Sequence, residues 1–247
     1  MKIGLKIWDE EGYELISPLL DKIDFLEVMA IKENDYSFLK KNKLPIIIHC
    51  MHNKWGVNFA NAMKFTINRD AIRFAIKLAD EYNAKFIIVH PGYKEKGFCA
   101  VNNISHFLSN FNDGRILVEN HPKSEEEYSE MYGTSLGDLS KILEISEKGF
   151  CLDFEHAGTT AKNKHEPVME FIKDLMVLEP AYFHICNCKY NSSKENPLKN
   201  RKDHIALSKG DLPIKEIKKL IPKDAWVLLE TEHNIKEHEK DIEFLRK

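Results

Sequence analysis

Short apolar runs recur along the whole chain, and longer stretches with helical spacing of apolar residues separate them. Segments such as PIIIHC, KFIIVH and WVLLET lack the polar alternation of a half-exposed strand, which is typical of strands buried on both faces in a parallel sheet. The runs span residues 3–8, 24–30, 45–50, 85–90, 115–119, 150–153, 182–186 and 226–230. The pattern therefore predicts eight strands.

Between these runs, apolar residues recur every three to four positions, as they do on one face of an amphipathic helix. The clearest case is 70–82, where Asn68 or Asp70 is available as an N-terminal cap. The other helical stretches are 135–148, 167–178, 213–221 and 234–247. Eight strand–helix units in 247 residues predict an α/β fold, a (β/α)8 TIM barrel that forms a single domain over residues 1–247. A doubly wound open sheet is the alternative, but no G-x-G-x-x-G pattern follows the first run.

Composition and charge narrow the function classes. With 36 basic and 39 acidic residues the net charge is -3, which argues against a protein that holds nucleic acid by bulk electrostatics. No apolar run reaches the roughly 18 residues that a bilayer span needs, and the start MKIGLKIWDE turns polar too soon for a signal peptide. The five cysteines are scattered, which suits a reducing compartment. We expect a cytoplasmic protein with no membrane contact and no obligate protein partner.

Residues with metal-ligand chemistry stand at or just beyond the ends of most predicted strands. They are His49, His90, Glu119, Asp153, His156, His184, His204 and Glu230. In an α/β barrel the carboxyl ends of the strands meet at one mouth, so these side chains are expected to converge. Imidazole and carboxylate suit Zn²⁺, Mn²⁺ or Fe²⁺, and bound cations remove the repulsion among the carboxylates.

The predicted ligands divide into one to three ion sites. Glu119, Asp153, His184 and Glu230 would fill one site. His49 and His90 could hold a second ion with Glu119 as a bridge, and His156 with His204 could hold a third. Zn²⁺ is the favoured ion, with Mn²⁺ or Mg²⁺ as alternatives.

The strand-end motifs carry a family resemblance. In chain order they read IIIHC, HPG, EN, CLDFEHA, HICNCK, HIALSKG and ET. Taken together, they resemble the endonuclease IV/xylose isomerase-like TIM-barrel superfamily, also called AP endonuclease family 2, over essentially the whole length. The resemblance implies a metal site of Glu119, Asp153, His184 and Glu230. It also implies that the four histidines outside that set complete a trinuclear zinc site, as in endonuclease IV.

The sequence departs from endonuclease IV at several of these motifs. Asp203 directly precedes His204 where that family has D-x-H, and His52 stands where a tyrosine is expected. The patterns E-N-H-P and K-G-D-L-P, together with Glu27, read more like the sugar isomerase and epimerase branch.

Two enzymatic functions follow. The first, ranked slightly higher because both His49 and His90 are present, is a metal-dependent phosphodiesterase that acts at abasic sites in DNA. The second is a sugar or sugar-phosphate isomerase or epimerase with a single ion, in which the catalytic carboxylates Glu119 and Glu230 would shuttle a proton. A barrel that is not catalytic is the third, least favoured reading.

Three residues are predicted to bind substrate: Asn120, Lys189 and Trp55, whose ring could stack on a base or sugar. A basic stretch could add a local phosphate-facing patch, although a solvated loop is the favoured interpretation. Its residues are Lys189, Lys194, Lys199, Arg201 and Lys202.

Overall fold

Eight parallel strands close into a barrel in the computed structural model, which describes residues 1–122, 130–191, 201–232 and 234–247. The strands are β1 Lys2–Ile7, β2 Phe25–Ala30, β3 Ile46–Cys50, β4 Ile87–Val89, β5 Ile116–Glu119, β6 Gly149–Asp153, β7 Tyr182–Ile185, β8 Asn187–Lys189, β9 Lys202–Ile205 and β10 Trp226–Leu229. Around the barrel the order is β1-β10-β7-β6-β5-β4-β3-β2. Each predicted apolar run thus forms a barrel strand, and the predicted (β/α)8 architecture is confirmed.

The remaining two strands, β8 and β9, form a separate antiparallel pair between β7 and β10. A solvated loop was the favoured interpretation of the basic stretch, but Lys189 and Lys202 pair with each other across β8 and β9, which corrects that interpretation at these two residues. Within the basic stretch, Lys194 and Lys199 lie outside the described residues.

Helices cover the outside of the barrel. They are α1 Glu10–Leu15, α2 Phe65–Glu81, α3 Val101–Ser109, α4 Leu136–Ser146, α5 Phe154–Asn163, α6 Val168–Met176, α7 Ile214–Leu220 and α8 Ile235–Arg246. The connection from β2 to β3 contains the short 3-10 helix Ser37–Lys41 in place of an α-helix. No helix in the described part of the chain is long and apolar enough to cross a membrane.

Helix α2 begins earlier than the sequence pattern predicted. Asn68 was expected as a cap, but it lies inside the helix, buried, and its side chain links to the preceding loop. Its Oδ1 accepts a hydrogen bond from the Asn58 backbone N–H at 2.9 Å, and its Nδ2 donates to the Asn58 carbonyl at 2.7 Å. The amide therefore satisfies loop backbone groups, which would otherwise be buried without partners.

The barrel interior is built in layers, and the polar layer stands directly above an apolar one. The apolar layer consists of Phe25, Ile47, Ile88, Leu117, Cys151, Tyr182 and Leu228. Two positions further along the same chain segments stand Glu27, His49, His90, Glu119, Asp153, His184 and Glu230. Because side chains alternate between the faces of a strand with period two, these polar residues face the same interior, nearer the mouth.

Gly4 has a packing role in the first strand. A Cβ placed on Gly4 would lie 2.2 Å from the Phe25 ring, so only glycine leaves room for that ring inside the barrel. Two positions later, Lys6 joins the polar layer, where it lies beside Glu27 in the register of β1 and β2.

Candidate metal centre

Glu119, at the end of β5, is the centre of the polar layer. Its carboxylate is buried, and each oxygen faces a different pair of imidazoles. Oε2 lies 3.4 Å from His49 Nε2 and 3.1 Å from His90 Nε2. Oε1 lies 3.4 Å from His184 Nδ1 and 3.2 Å from His156 Nδ1. One carboxylate can therefore contribute to two adjacent ligand groups.

Three groups of described side chains that could hold an ion share this carboxylate. One consists of His49, His90 and Glu119, and another of Glu119, Asp153, His184 and Glu230. The third, Glu119 with Cys151 and His184, overlaps the second and adds only a buried thiol. Within each group, the ligand atoms lie within 4.8 Å of one another. The first two of these groups are ligand sets that the sequence predicted, and the fold brings their members together.

Hydrogen bonds orient His49 and His184 so that one ring nitrogen of each faces the candidate site. His49 Nδ1 lies 2.9 Å from the Cys50 carbonyl, which can only accept, so Nδ1 carries the proton and Nε2 presents a lone pair. His184 Nε2 lies 2.9 Å from Glu27 Oε2. Burial would lower the pKa of His184, but the surrounding acidic groups outweigh it and raise the pKa well above its ordinary value. A divalent ion at Nδ1 would therefore displace a proton, with Glu27 holding Nε2 as in a carboxylate–histidine–metal arrangement.

Several of these ligand atoms are buried without a hydrogen-bond partner among the described residues: His49 Nε2, Asp153 Oδ2 and His184 Nδ1. His184 Nδ1 lies 3.9 Å from Asp153 Oδ2 and 3.0 Å from Glu230 Oε2. Lone pairs and carboxylate oxygens that face one another away from water are costly unless a cation lies between them. The side chains present therefore fit one or two divalent ions.

Burial and neighbouring charges both shift the pKa values of this cluster. Burial alone would raise the pKa of Glu119, but the charge of the neighbouring His184 and a hydrogen bond from His156 outweigh it and hold the pKa well below its ordinary value. Burial lowers the pKa of His90 to about 3, so its ring is neutral at pH 7. An ionised carboxylate beside a neutral imidazole is the state that metal ligands require. Burial raises the pKa of Asp153 to about 7, since like charges add to the desolvation.

Lys6 and Glu27 form a buried ion pair beside the candidate ligands, in the same polar layer. Lys6 Nζ lies 2.6 Å from Glu230 Oε1 and 3.3 Å from Glu27 Oε1. Glu27 Oε2 also accepts a hydrogen bond from the Tyr182 hydroxyl at 2.9 Å. The lysine thus holds two carboxylates in place, and Glu27 in turn holds His184.

The third predicted ion site is less complete. His156 donates from Nδ1 to the Asn120 carbonyl at 2.8 Å, and it forms a further candidate group with Asp153 and Glu155. His204 donates from Nδ1 to the Glu230 carbonyl at 2.9 Å and belongs to none of the candidate groups among the described residues. Asp203 pairs with Arg201 at 3.1 Å. The ligand roles of His156 and His204 stay predictions.

The predicted substrate-binding residues have different surroundings. Asn120 is buried, and its amide bonds to the backbone of Asp153, donating to the carbonyl at 2.9 Å and accepting from the N–H at 2.8 Å. It therefore positions a candidate ligand, and any contact with substrate stays a prediction. Lys189 pairs with Asp211 at 2.7 Å, which neutralises part of the predicted basic patch.

Trp55 lies on a row of rings that leads to the candidate ligands. Its ring centroid is 4.9 Å from that of His52, which is stacked on His90 at 5.0 Å. On its other side, Trp55 lies 5.7 Å from Trp8. The stacking of Trp55 on a substrate ring stays a prediction.

The fold and these side chains define a (β/α)8 barrel with a cluster of candidate metal ligands at its mouth. The model of the family described as xylose isomerase-like TIM barrel matches residues 36–247, and the chain belongs to that family. The resemblance predicted from the strand-end motifs is thereby confirmed. No curated protein matches the sequence.

Solved structures of differently named proteins have the same fold. A D-tagatose 3-epimerase-like protein superposes with a TM-score of 0.73 at 19% identity, covering 100% of this chain and 96% of that chain. Endonuclease IV from Thermus thermophilus superposes with a TM-score of 0.70 at 15% identity, covering 100% and 98%. The IolI protein with a bound zinc atom superposes with a TM-score of 0.64 at 13% identity, covering 100% and 95%. At such low sequence identities, the similarity is evidence of a shared fold alone.

Proposed function

We propose that this protein is a divalent-metal-dependent phosphodiesterase of the endonuclease IV type, which acts at abasic sites in DNA with zinc as its ion. The observation that carries the proposal is the sharing of Glu119 between two adjacent ligand groups. Paired divalent ions are a recurring device for phosphodiester cleavage, since they serve both the attacking and the leaving oxygen. A single-ion isomerase does not need the group formed by His49 and His90.

In this proposal, the ions supply Lewis-acid stabilisation and a lowered pKa for a nucleophilic water. The protein's own side chains position them. Glu119 presents one oxygen to each group, which fixes the two groups relative to each other. Glu27 accepts from Nε2 of His184 and so keeps Nδ1 directed at the site. Lys6 Nζ lies 2.6 Å from Glu230 Oε1, and this ion pair keeps the carboxylate directed into the barrel.

A sugar or sugar-phosphate isomerase or epimerase with a single ion is the second candidate. The observation in its favour is the pairing of the basic residues that would face DNA. Lys189 pairs with Asp211, and Arg201 pairs with Asp203. In this candidate, Glu119 and Glu230 would transfer the proton, and His49 with His90 would contact substrate oxygens.

A nicking assay separates the two candidates. We expect zinc-loaded protein to cut a DNA duplex at a single abasic site and to leave the matching intact duplex uncut. The His49→Ala protein is the informative variant, and His106→Ala, at an exposed position on α3, is its control. Absence of cleavage with zinc present, together with epimerisation of a ketose, would establish the second candidate instead.

Removal of His49 should empty one of the two ion sites. We expect His49→Ala to bind one zinc per chain in place of two. Cleavage should fall about 100-fold or more, because the loss of several kcal/mol of charge stabilisation corresponds to at least that factor. Metal analysis of desalted protein and the nicking rate measure the two effects. Two ions per chain in the variant would contradict the assignment of His49 as a ligand.

Zinc should also stabilise the fold, since the ligand atoms in the native barrel are buried and preassembled. We expect metal-free protein to gain about 2.7 kcal/mol when free zinc reaches 100 times its dissociation constant. Thermal unfolding followed by circular dichroism, with and without a chelator, measures this gain. An unchanged melting temperature across a zinc titration would mean that the buried cluster does not bind the ion.

A further inference from the structure

A cationic side chain lies over two indole rings beside the candidate metal centre. Lys54 Nζ is 5.2 Å from the centroid of the Trp8 ring and 5.6 Å from that of the Trp55 ring. Trp8 directly follows β1, and Trp55 ends the 3-10 helix Asn53–Trp55 that follows β3. Both segments leave the carboxyl ends of barrel strands, so the lysine lies at the mouth.

The two indoles restrict the position of this ammonium group. A cation is attracted to the face of an aromatic ring, most strongly to tryptophan, and Lys54 is within reach of two such faces. Two indole faces from different loops hold a flexible side chain in place better than a single face does. The charge is thereby kept at the rim of the mouth, although the side chain itself is exposed.

The charge of Lys54 is also available to a ligand. Within the described ranges, no carboxylate lies at ion-pair distance from Lys54, whereas other exposed lysines at the rim do have such partners. Lys94 pairs with Glu130, and Lys189 pairs with Asp211. A cation that aromatic faces hold in place, and that no acidic side chain neutralises, is suited to binding an anion.

A continuous wall of rings connects this cation to the candidate ligands. The Trp55 ring contacts His52 edge to face at 4.9 Å, and His52 is stacked on His90 at 5.0 Å. A molecule that reacts at the metal centre would therefore extend along this wall toward Lys54.

We propose that Lys54, held over Trp8 and Trp55, binds a phosphate group of the substrate other than the group that reacts at the metal centre. The substrate class is then a nucleic acid with a neighbouring phosphate, or a phosphorylated sugar. The inference rests on the proposed function in that it takes the metal centre as the place of reaction. From the sequence alone, the stretch from Lys189 to Lys202 was the candidate for phosphate contacts, although a solvated loop was its favoured interpretation.

Tryptophan fluorescence tests the proposal without any turnover. The chain has three tryptophans, and the third, Trp226, begins β10 at the opposite end of the barrel. In the Trp226→Phe background, only the two indoles under Lys54 emit. We expect ribose 5-phosphate to change this emission in zinc-loaded protein, while ribose leaves it unchanged at the same concentration. Ribonate, which carries a carboxylate, is the third probe and should have little effect.

The matched variants are Lys54→Met and Lys96→Met, the latter an exposed lysine on the loop after β4. We expect Lys54→Met to weaken the response to ribose 5-phosphate about tenfold, as for the loss of one charged hydrogen bond. Lys54→Arg should restore most of it, and Lys96→Met should respond like the parent. An undiminished response in Lys54→Met, an equal response to ribose or ribonate, or no response at all would overturn the proposal.

Turnover separates this inference from the proposed function. If the protein cuts abasic DNA, Lys54→Met should raise KM about tenfold for the same reason and leave kcat nearly unchanged. If no cleavage occurs but the fluorescence response depends on Lys54, the phosphate site stands and the phosphodiesterase assignment fails. If cleavage occurs and Lys54→Met leaves both the fluorescence response and KM unchanged, the assignment stands and the phosphate site fails.

Discussion

Glu119→Gln is expected to abolish activity, with kcat lowered at least about 1000-fold, because one substitution weakens both ion sites at once. The amide keeps the size of the side chain but loses its negative charge. In the native protein, each Glu119 oxygen faces imidazole nitrogens at 3.1 to 3.4 Å. The side chain at position 119 must carry a negative charge to bridge two cations. Metal analysis of the variant should show fewer than one tightly held zinc per chain.

The control for this variant is Glu144→Gln, at an exposed position on α4. It removes the same charge from the chain and should keep full activity and metal content. Circular dichroism should give the same secondary structure for both variants, since a glutamine fits the space of a glutamate. If Glu119→Gln retained full activity, the whole assignment of the site would be refuted, for the nuclease and for the isomerase alike.

Lys6→Met is expected to lower the free energy of unfolding of the metal-free protein by about 3 to 5 kcal/mol. Lys6 is nearly fully buried, and its ammonium lies between Glu230 and Glu27. Burial would lower the pKa of Lys6, but these carboxylates outweigh it and raise the pKa above its ordinary value. The methionine fills most of the volume, so the expected loss comes from the buried Glu27 and the half-buried Glu230 carboxylates, which lose their lysine counter-charge.

Urea unfolding of chelator-treated protein at pH 7 measures this effect. Lys141→Met, at an exposed position on α4, is the control and should stay within about 0.5 kcal/mol of the parent protein. Added zinc should restore part of the stability of Lys6→Met, because a cation bound at Glu230 replaces some of the missing charge. A loss no larger than that of the control would mean that Lys6 does not hold the carboxylates.

The barrel was predictable because its strands are short, nearly unbroken apolar runs that recur along the whole chain. The alignment of His49, His90, Glu119, Asp153 and Glu230 at strand ends was predictable for the same reason: parallel strands present their carboxyl ends on one side. Their grouping around Glu119 follows from the closed order of the strands, which places β5 between β4 and β6.

Lys6 was missed because a lysine near the start of a chain ordinarily lies in solvent. The period of two after Gly4 was the one signal that could have identified it, because its position opposite Glu27 is seen only in the structure. The register between β1 and β2 is a tertiary property, so the apolar pattern of either strand does not contain it.

The role of Lys54 was out of reach of the sequence for a similar reason. Trp8 and Trp55 are 47 positions apart along the chain. They meet because the segments after β1 and β3 turn toward each other at the mouth, where the ring centroids are 5.7 Å apart. Local patterns predict strands and helices, but contacts between loops depend on how the closed barrel places them.

Anomalous diffraction at the zinc absorption edge, from crystals of the zinc-loaded protein, would locate the bound ions. We expect two peaks at the barrel mouth, on either side of the Glu119 carboxylate. One peak should have His49 and His90 as its other neighbours, and the other should have Asp153, His184 and Glu230. A mouth without any peak, or peaks bound by residues other than these, would contradict this expectation.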